Sequence, residues 1–275
     1  MSQRIIIRQG STGKNYWKDL WHYRELFYIL SWRDIKVRYK QTVLGIVWAI
    51  IRPLLTMAVF TIVFGKIAKM DSASLVPYSL IVFAGLLPWQ FFSSTITESS
   101  NSLIGNTNLI TKVYFPRLII PASSVITCFI DFLISFALLL LFFLVYQYIP
   151  PVQIVILPLF AVMLLVTSFG PGLYLTALNV KYRDFRYIIP FIVQFGLFIS
   201  PVGFSSNMIP EKWQWAYALN PMAGVIDGFR WCIIKDAPNP LLNYPFYISL
   251  GVTFFLAMLS VRQFRKMEKN FADII

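Results

Sequence analysis

Six stretches of this chain stay apolar for long enough to cross, or nearly cross, a bilayer, and no other feature restricts its fold so tightly. A helix spanning ~30 Å of hydrocarbon needs about 20 mostly apolar residues. Residues 43–65, 78–97, 121–148, 152–179, 187–204 and 244–261 qualify. Composition agrees, with 57% of residues hydrophobic, 13% charged and a mean hydropathy of +0.66, where soluble domains carry roughly 25% charged residues. Backbone polar groups in lipid must be satisfied within their own segment, so runs of this length are helices. The expected fold class is an all-α integral membrane protein with six transmembrane helices. The fifth and sixth stretches are short, while the third and fourth are long enough to tilt. Pro88 shortly after Gly85, and Gly170, Pro171 and Gly172 in succession, predict kinks or local unwinding in the second and fourth.

Lysine and arginine set the orientation. With both termini on one side, that side receives Arg4, Arg8, Lys14, Lys18, Arg24, Arg33, Lys36, Arg38 and Lys40. Lys112, Arg117, Lys181, Arg183, Arg186, Arg262, Arg265, Lys266 and Lys269 join them. Only Lys66, Lys69, Lys212, Arg230 and Lys235 fall on the other side. The bias predicts a multi-pass protein with both ends in the cytoplasm. The net charge of +12 is thus a matter of membrane topology and not a sign of nucleic-acid binding.

Three parts follow: a cytoplasmic N-terminal segment over 1–42, a transmembrane domain over 43–261, and a cytoplasmic tail over 262–275. The first ends in a basic segment from Ser31 to Lys40. Tyr28, Trp32, Ile35 and Tyr39 recur there at helical spacing, with Arg33, Lys36 and Lys40 on the adjoining face. Such a helix sinks its aromatic side into the headgroup boundary while its cations meet anionic lipid. Asp34 and Arg38 are spaced for an i,i+4 ion pair. Residues 1–42 hold no apolar run of signal-peptide type, so insertion is expected to use the first span. Between the fifth and sixth spans, Ile209 to Ile234 is apolar and aromatic but broken at Asn220 and Pro221 and charged at Asp227 and Arg230. A seventh span there would oppose the charge bias. Two outer re-entrant half-helices turning near Asn220 fit better, and a surface loop with one interfacial helix is the alternative.

Catalytic chemistry finds little material. The single histidine, His22, precedes the membrane domain, which leaves no Ser/His/Asp constellation and no histidine-ligated metal in the spans. Cys128 and Cys232 fall at different expected depths, so no disulfide is expected. Gly10 to Asn15 reads GSTGKN, with glycines too close for a phosphate loop and no Ser/Thr after Lys14. ATP-driven work therefore requires a second polypeptide. Two ionisable residues do lie within spans, Arg52 in the first and Asp131 in the third, at similar depth. Such groups are costly and usually paired or facing water. They either form a buried ion pair, within one chain or between two copies, or are satisfied separately by backbone, water or snorkelling.

Several motifs occur in order along the chain. WRDIKVRYKQT runs from Trp32 to Thr42, followed by Leu44, Gly45, Trp48, Ala49 and Pro53. ITKVYFPR runs from Ile110 to Arg117, NVKYRD from Asn179 to Asp184, ISPV from Ile199 to Val202, and LNPM from Leu219 to Met222. In these the chain resembles ABC-2 type permeases that export polysaccharide, the membrane subunits of O-antigen, capsular polysaccharide and teichoic acid exporters. The resemblance implies the transmembrane domain of a type V ABC exporter in the bacterial inner membrane. It also implies a homodimer working with two ABC ATPase subunits, which bind the ATP and Mg; this chain holds no cofactor and no metal. The interfacial helix would comprise Trp32, Arg33, Lys36, Arg38, Tyr39 and Lys40. A coupling segment over 106–117 would dock on the ATPase through Leu109, Ile110, Lys112, Val113, Tyr114, Phe115 and Arg117.

The substrate implied is a lipid-linked polysaccharide, moved outward without covalent chemistry. A polymer sliding through a pore needs many weak contacts, which aromatic faces supply by stacking on sugar rings. Trp89, Phe91 and Phe92 follow Pro88, and Phe191, Phe195 and Phe198 share a helical face. These either line the conduit or serve packing and lipid contact. Export of a drug or simple lipid, or a membrane-embedded glycan-modifying enzyme, are the other classes open to such a chain.

Overall fold

A computed structural model describes residues 16–40, 45–67 and 76–271. The Gly10 to Asn15 turn, Arg4, Arg8, Gln41 to Leu44 with the start of the first span, Lys69 and the last four residues lie outside them. Among the described residues the chain forms eleven α-helices and no strand. They are α1 (Tyr16–His22), α2 (Arg24–Lys40), α3 (Gly45–Phe60), α4 (Tyr78–Gly105), α5 (Thr107–Lys112) and α6 (Ile119–Val145), then α7 (Leu157–Lys181), α8 (Phe185–Ile199), α9 (Glu211–Tyr217), α10 (Pro221–Ile233) and α11 (Tyr244–Met267). A π-helical segment, Thr61–Ile67, continues α3, and a 3₁₀ turn, Val152–Ile156, leads into α7.

Among the described residues five helical segments are long and apolar enough to cross a membrane: Val47–Ile67, Tyr78–Gly105, Ile119–Val145, Val152–Lys181 and Tyr244–Met267. The fifth expected span is shorter than 187–204 implies. Its helix, α8, has fifteen residues and extends ~22 Å at 1.5 Å per residue. The chain leaves it at Ser200, in extended backbone, because Pro201 disfavours the helical conformation at the residue before it. Beyond Pro201, side chains collect three successive carbonyls. Arg230 Nη2 donates to Val202 O at 2.7 Å, the Tyr78 hydroxyl to Gly203 O at 2.6 Å, and Arg230 Nη1 to Phe204 O at 2.5 Å.

α4 lies at the centre, packed against α6, α7 and α10, and α7 packs on α11. Phe83, Phe132, Phe160 and Phe229 belong to the main core. Of the kinks or local unwinding expected at Pro88 and Pro171, the unwinding does not occur, since α4 and α7 continue through both. The glycines serve close helix approach instead. A Cβ on Gly170 would stand 3.0 Å from Ala257 Cα of α11, and one on Gly172 would collide with the Ser99 hydroxyl of α4.

The segment between α8 and α11 forms two short helices. Asn220 caps α10, its side-chain oxygen accepting the Met222 N–H at 3.0 Å. Met222, Val225, Ile226, Phe229, Cys232 and Ile233 are all buried, so α10 is part of the core and not a surface loop. Cys128 and Cys232 are free thiols, both buried.

Candidate functional site

A cavity of about 440 Å³ opens between α3, α4 and α6, with Arg38 of α2 and Leu197 of α8 at its margins. Its wall on α4 is a polar stripe that sequence reading missed: Gln90, Ser94, Thr97 and Glu98 recur three to four residues apart on one face. That periodicity inside an apolar span was the available signal. Ser94 donates to Gln90 O and Thr97 to Ser93 O, each at 2.8 Å, so these hydroxyls satisfy themselves on their own helix while still facing the cavity.

Within one chain Arg52 and Asp131 do not pair. Within the chain Asp131 is paired with Arg38, whose Nη2 lies 2.7 Å from Oδ2, and Asp131 also accepts the Tyr39 hydroxyl. Arg38 Nη1 reaches Glu98 at 3.5 Å. Arg52 lines the same cavity but has no carboxylate within 4 Å among the described residues. The reason is geometric: α2 packs along α6, which delivers Arg38 and Tyr39 to Asp131 first. Burial and the carboxylate both push the Tyr39 phenol up, keeping it a donor. With Arg38 so engaged, Asp34 pairs with Arg33 at 2.8 Å instead of with Arg38. Arg33 also donates to Asn106 at the α4–α5 junction, at 2.9 Å.

The interfacial residues accordingly divide between two sides of α2. Tyr28 and Trp32 are exposed and stacked with centroids 6.5 Å apart. The Lys36 ammonium lies 5.3 Å from the Trp32 ring, a cation–π distance, and Arg33 and Lys40 share that outward surface. Arg38 and Tyr39 turn inward.

The segment expected to couple divides as well. Ile110 and Phe115 are buried, Leu109 packs partly buried against the same cluster, and Lys112, Val113 and Tyr114 are exposed. Arg117 is tied to Glu268: its backbone N–H donates to Oε1 at 2.7 Å and its Nη1 to the main-chain carbonyl at 2.8 Å. The exposed tip is therefore Lys112 to Tyr114, on a base held by the rest.

Of the aromatics, Trp89 and Phe91 line the cavity but are 4% and 2% exposed. Phe91 packs edge-on against Phe129 and Phe132, and Phe92 lies 5.2 Å from Trp89. Trp89 also closes on Gly196 of α8, where a Cβ would stand 2.7 Å from its ring. Phe191, Phe195 and Phe198 are more than half exposed on the side of α8 turned away from α4 and α7. Among the described residues no group of three or more histidine, cysteine or acidic side chains is placed to hold a metal.

Comparison with known proteins places residues 25–234 on the profile of the ABC-2 type transporter family. An O-antigen export system permease, RfbA, from Klebsiella pneumoniae is 31% identical over 91% of this chain and 95% of its own length. A protein of the same description from Myxococcus xanthus is 28% identical over 78% and 82%. The polysialic acid transport protein KpsM of Escherichia coli is 25% identical over 83% and 85%.

Proposed function

We propose that this chain, which belongs to the ABC-2 type transporter family, is the membrane permease of an ATP-driven exporter that moves a lipid-linked, O-antigen-like polysaccharide outward across the bacterial inner membrane. The observation that carries the reading is the 31% identity to an O-antigen export permease over 91% of the chain. The cavity supports it, because its wall carries the α4 hydroxyls and carboxamide, side-chain types that hydrogen-bond sugar hydroxyls.

In this reading two copies assemble with two ATPase subunits, and both termini face the cytoplasm. The α9–α10 pair dips into the outer leaflet. α8 completes a sixth crossing with the non-helical chain that follows it. The outward aromatics Phe191, Phe195 and Phe198 line the conduit when a second copy is present. Arg52, which has no carboxylate within 4 Å among the described residues of one chain, meets one across that dimer. ATP closure of the nucleotide-binding pair is transmitted through the Lys112 to Tyr114 tip and through α2. Substitution of Tyr114 by alanine is expected to lower export per ATP hydrolysed several-fold while insertion persists.

The deciding experiment deletes this chain in its own host and locates the glycan. Lipid-linked polymer accumulating inside, with less at the surface, is the expected result. Unchanged surface glycan in a host without a second exporter would move the substrate to a drug or simple lipid.

A further inference from the structure

At the end of the bundle where the first and last described residues meet, separate segments converge on one apolar cluster. Tyr16 of α1, Leu30 of α2, Ile110 of α5, Phe115, and Phe264 and Phe271 at the end of the chain are all buried in it. The chain inserts one carboxylate here. Glu268, just past α11, is 6% exposed. Burying a carboxylate among apolar groups is costly unless it is hydrogen-bonded and charge-compensated, so its presence asks for a reason beyond filling space.

The contacts suggest one. Glu268 takes both the backbone N–H and the guanidinium of Arg117, the first through its carboxylate and the second through its carbonyl. The two bonds fix Arg117 in position and in rotation. Residues 113–118 between α5 and α6 have no regular structure, so the exposed Tyr114 is oriented by its anchors, the buried Phe115 beside it and the clamped Arg117 three residues on. The tail is itself held: Phe271 packs on Phe264 with centroids 5.5 Å apart, and the Arg265 guanidinium lies 4.7 Å from the Tyr16 ring.

We infer that Glu268 is a positioning residue for coupling: the tail of α11 clamps the base of the 106–117 segment, so that force applied at the Lys112 to Tyr114 tip enters α6 and α11 together. The inference rests on the docking role proposed above for that segment. It turns on an acceptor held at one distance and not on charge, because the group engaged by the carboxylate is a backbone N–H.

The test compares Glu268→Ala, Glu268→Asp and Glu268→Gln in the full permease–ATPase complex. Surface glycan is measured in cells and ATP hydrolysis in the purified assembly. Glutamine keeps an acceptor at the same reach and should hold export per ATP hydrolysed within about two-fold of the parent. Alanine removes the acceptor and aspartate withdraws it by one methylene, and both should lower the ratio at least five-fold. If the alanine chain fails to assemble, the aspartate and glutamine variants still decide, and aspartate matching glutamine overturns the clamp. A merely structural role would change the yield of all three and leave the ratio alone. Tyr114→Ala, run beside them, separates the two readings. If it lowers the ratio while the Glu268 series does not, the clamp is wrong and docking stands; if Tyr114→Ala also leaves it unchanged, docking itself fails.

Discussion

α3 and α4 are neighbouring apolar helices, yet their surroundings differ sharply. In the most apolar stretch of α4, 67% of residues are buried within the chain, against 11% for the first span. α4 is enclosed by α6, α7 and α10, with Gly172 and Ser99 setting how closely α7 approaches. α3 and the π-helical segment after it turn Trp48, Leu55, Val59 and Ile62 outward, and α8 does the same with Phe191, Phe195 and Phe198. An enclosed helix cannot rotate or shift without breaking dense contacts, because interiors pack to crystal-like density. A helix that is mostly uncovered has only lipid or another copy to lose. The difference separates a frame built on α4, with α7 and α10 packed against it, from an adaptable flank, α3 and α8, with the cavity on the boundary between them.

Substitutions in the frame should have the largest effects. Gly228 of α10 faces the Phe160 ring so closely that a methyl group would overlap it. Gly228→Ala should therefore cost on the order of 3 kcal/mol, read as lost thermal stability of the purified protein. Gly251→Ala is the control: nothing lies within 4 Å of its added carbon, so it should be neutral or slightly stabilising, by up to about 1 kcal/mol. Equal losses at the two sites would abolish the distinction. Arg230→Met comes next. It strips the Val202 and Phe204 carbonyls of their donor at about 2 kcal/mol, and should expose residues 200–204 to protease.

In the flank the expected pattern reverses. Alanine at Phe191, Phe195 and Phe198 together should move stability by less than about 0.5 kcal/mol per site, because each ring is more than half exposed. Export should still fall several-fold if they touch the substrate. Full export would remove α8 from the conduit.

The smallest effect concerns pH. Burial raises the Glu268 carboxyl above its ordinary value, partly offset by the Arg117 N–H, the Tyr16 hydroxyl and the charges of Arg117 and Arg265. Burial, then the Glu268 carboxylate, likewise push the Tyr16 phenol up, so it stays protonated. A raised acid binds its proton more tightly when folded, so its stabilising contribution is present at low pH and is lost as pH rises through the folded value. Glu268→Gln, uncharged throughout, should match the parent below about pH 4.3 and gain on it as pH increases. A thermal shift difference that does not change with pH would contradict this.

Much of this was legible in the sequence, for local reasons. Long apolar runs demand helices in lipid wherever they pack, and the ITKVYFPR and WRDIKVRYKQT motifs identify the family without reference to neighbours. The partners of charged residues were not legible. Asp131 and Arg52 share a depth, but depth does not say which helix lies alongside. α2 does, and Arg38 takes the contact. The seven residues of the 109–117 set look alike in sequence, and only the convergence of α1, α5 and the α11 tail sorts them into buried base and exposed tip. The polar stripe of α4 was readable from its period and was overlooked beside the apolar average of the span.

By itself the sequence determined the helical membrane class and the family, because hydrophobic length and residue pattern are properties of the chain alone. The tertiary structure decided that α8 stops at Ser200, that Arg230 gathers the carbonyls beyond it, and that Arg38 and Glu268 hold the partners they do. Each of these depends on which groups from distant segments come within hydrogen-bonding distance, and that is settled only when the helices pack.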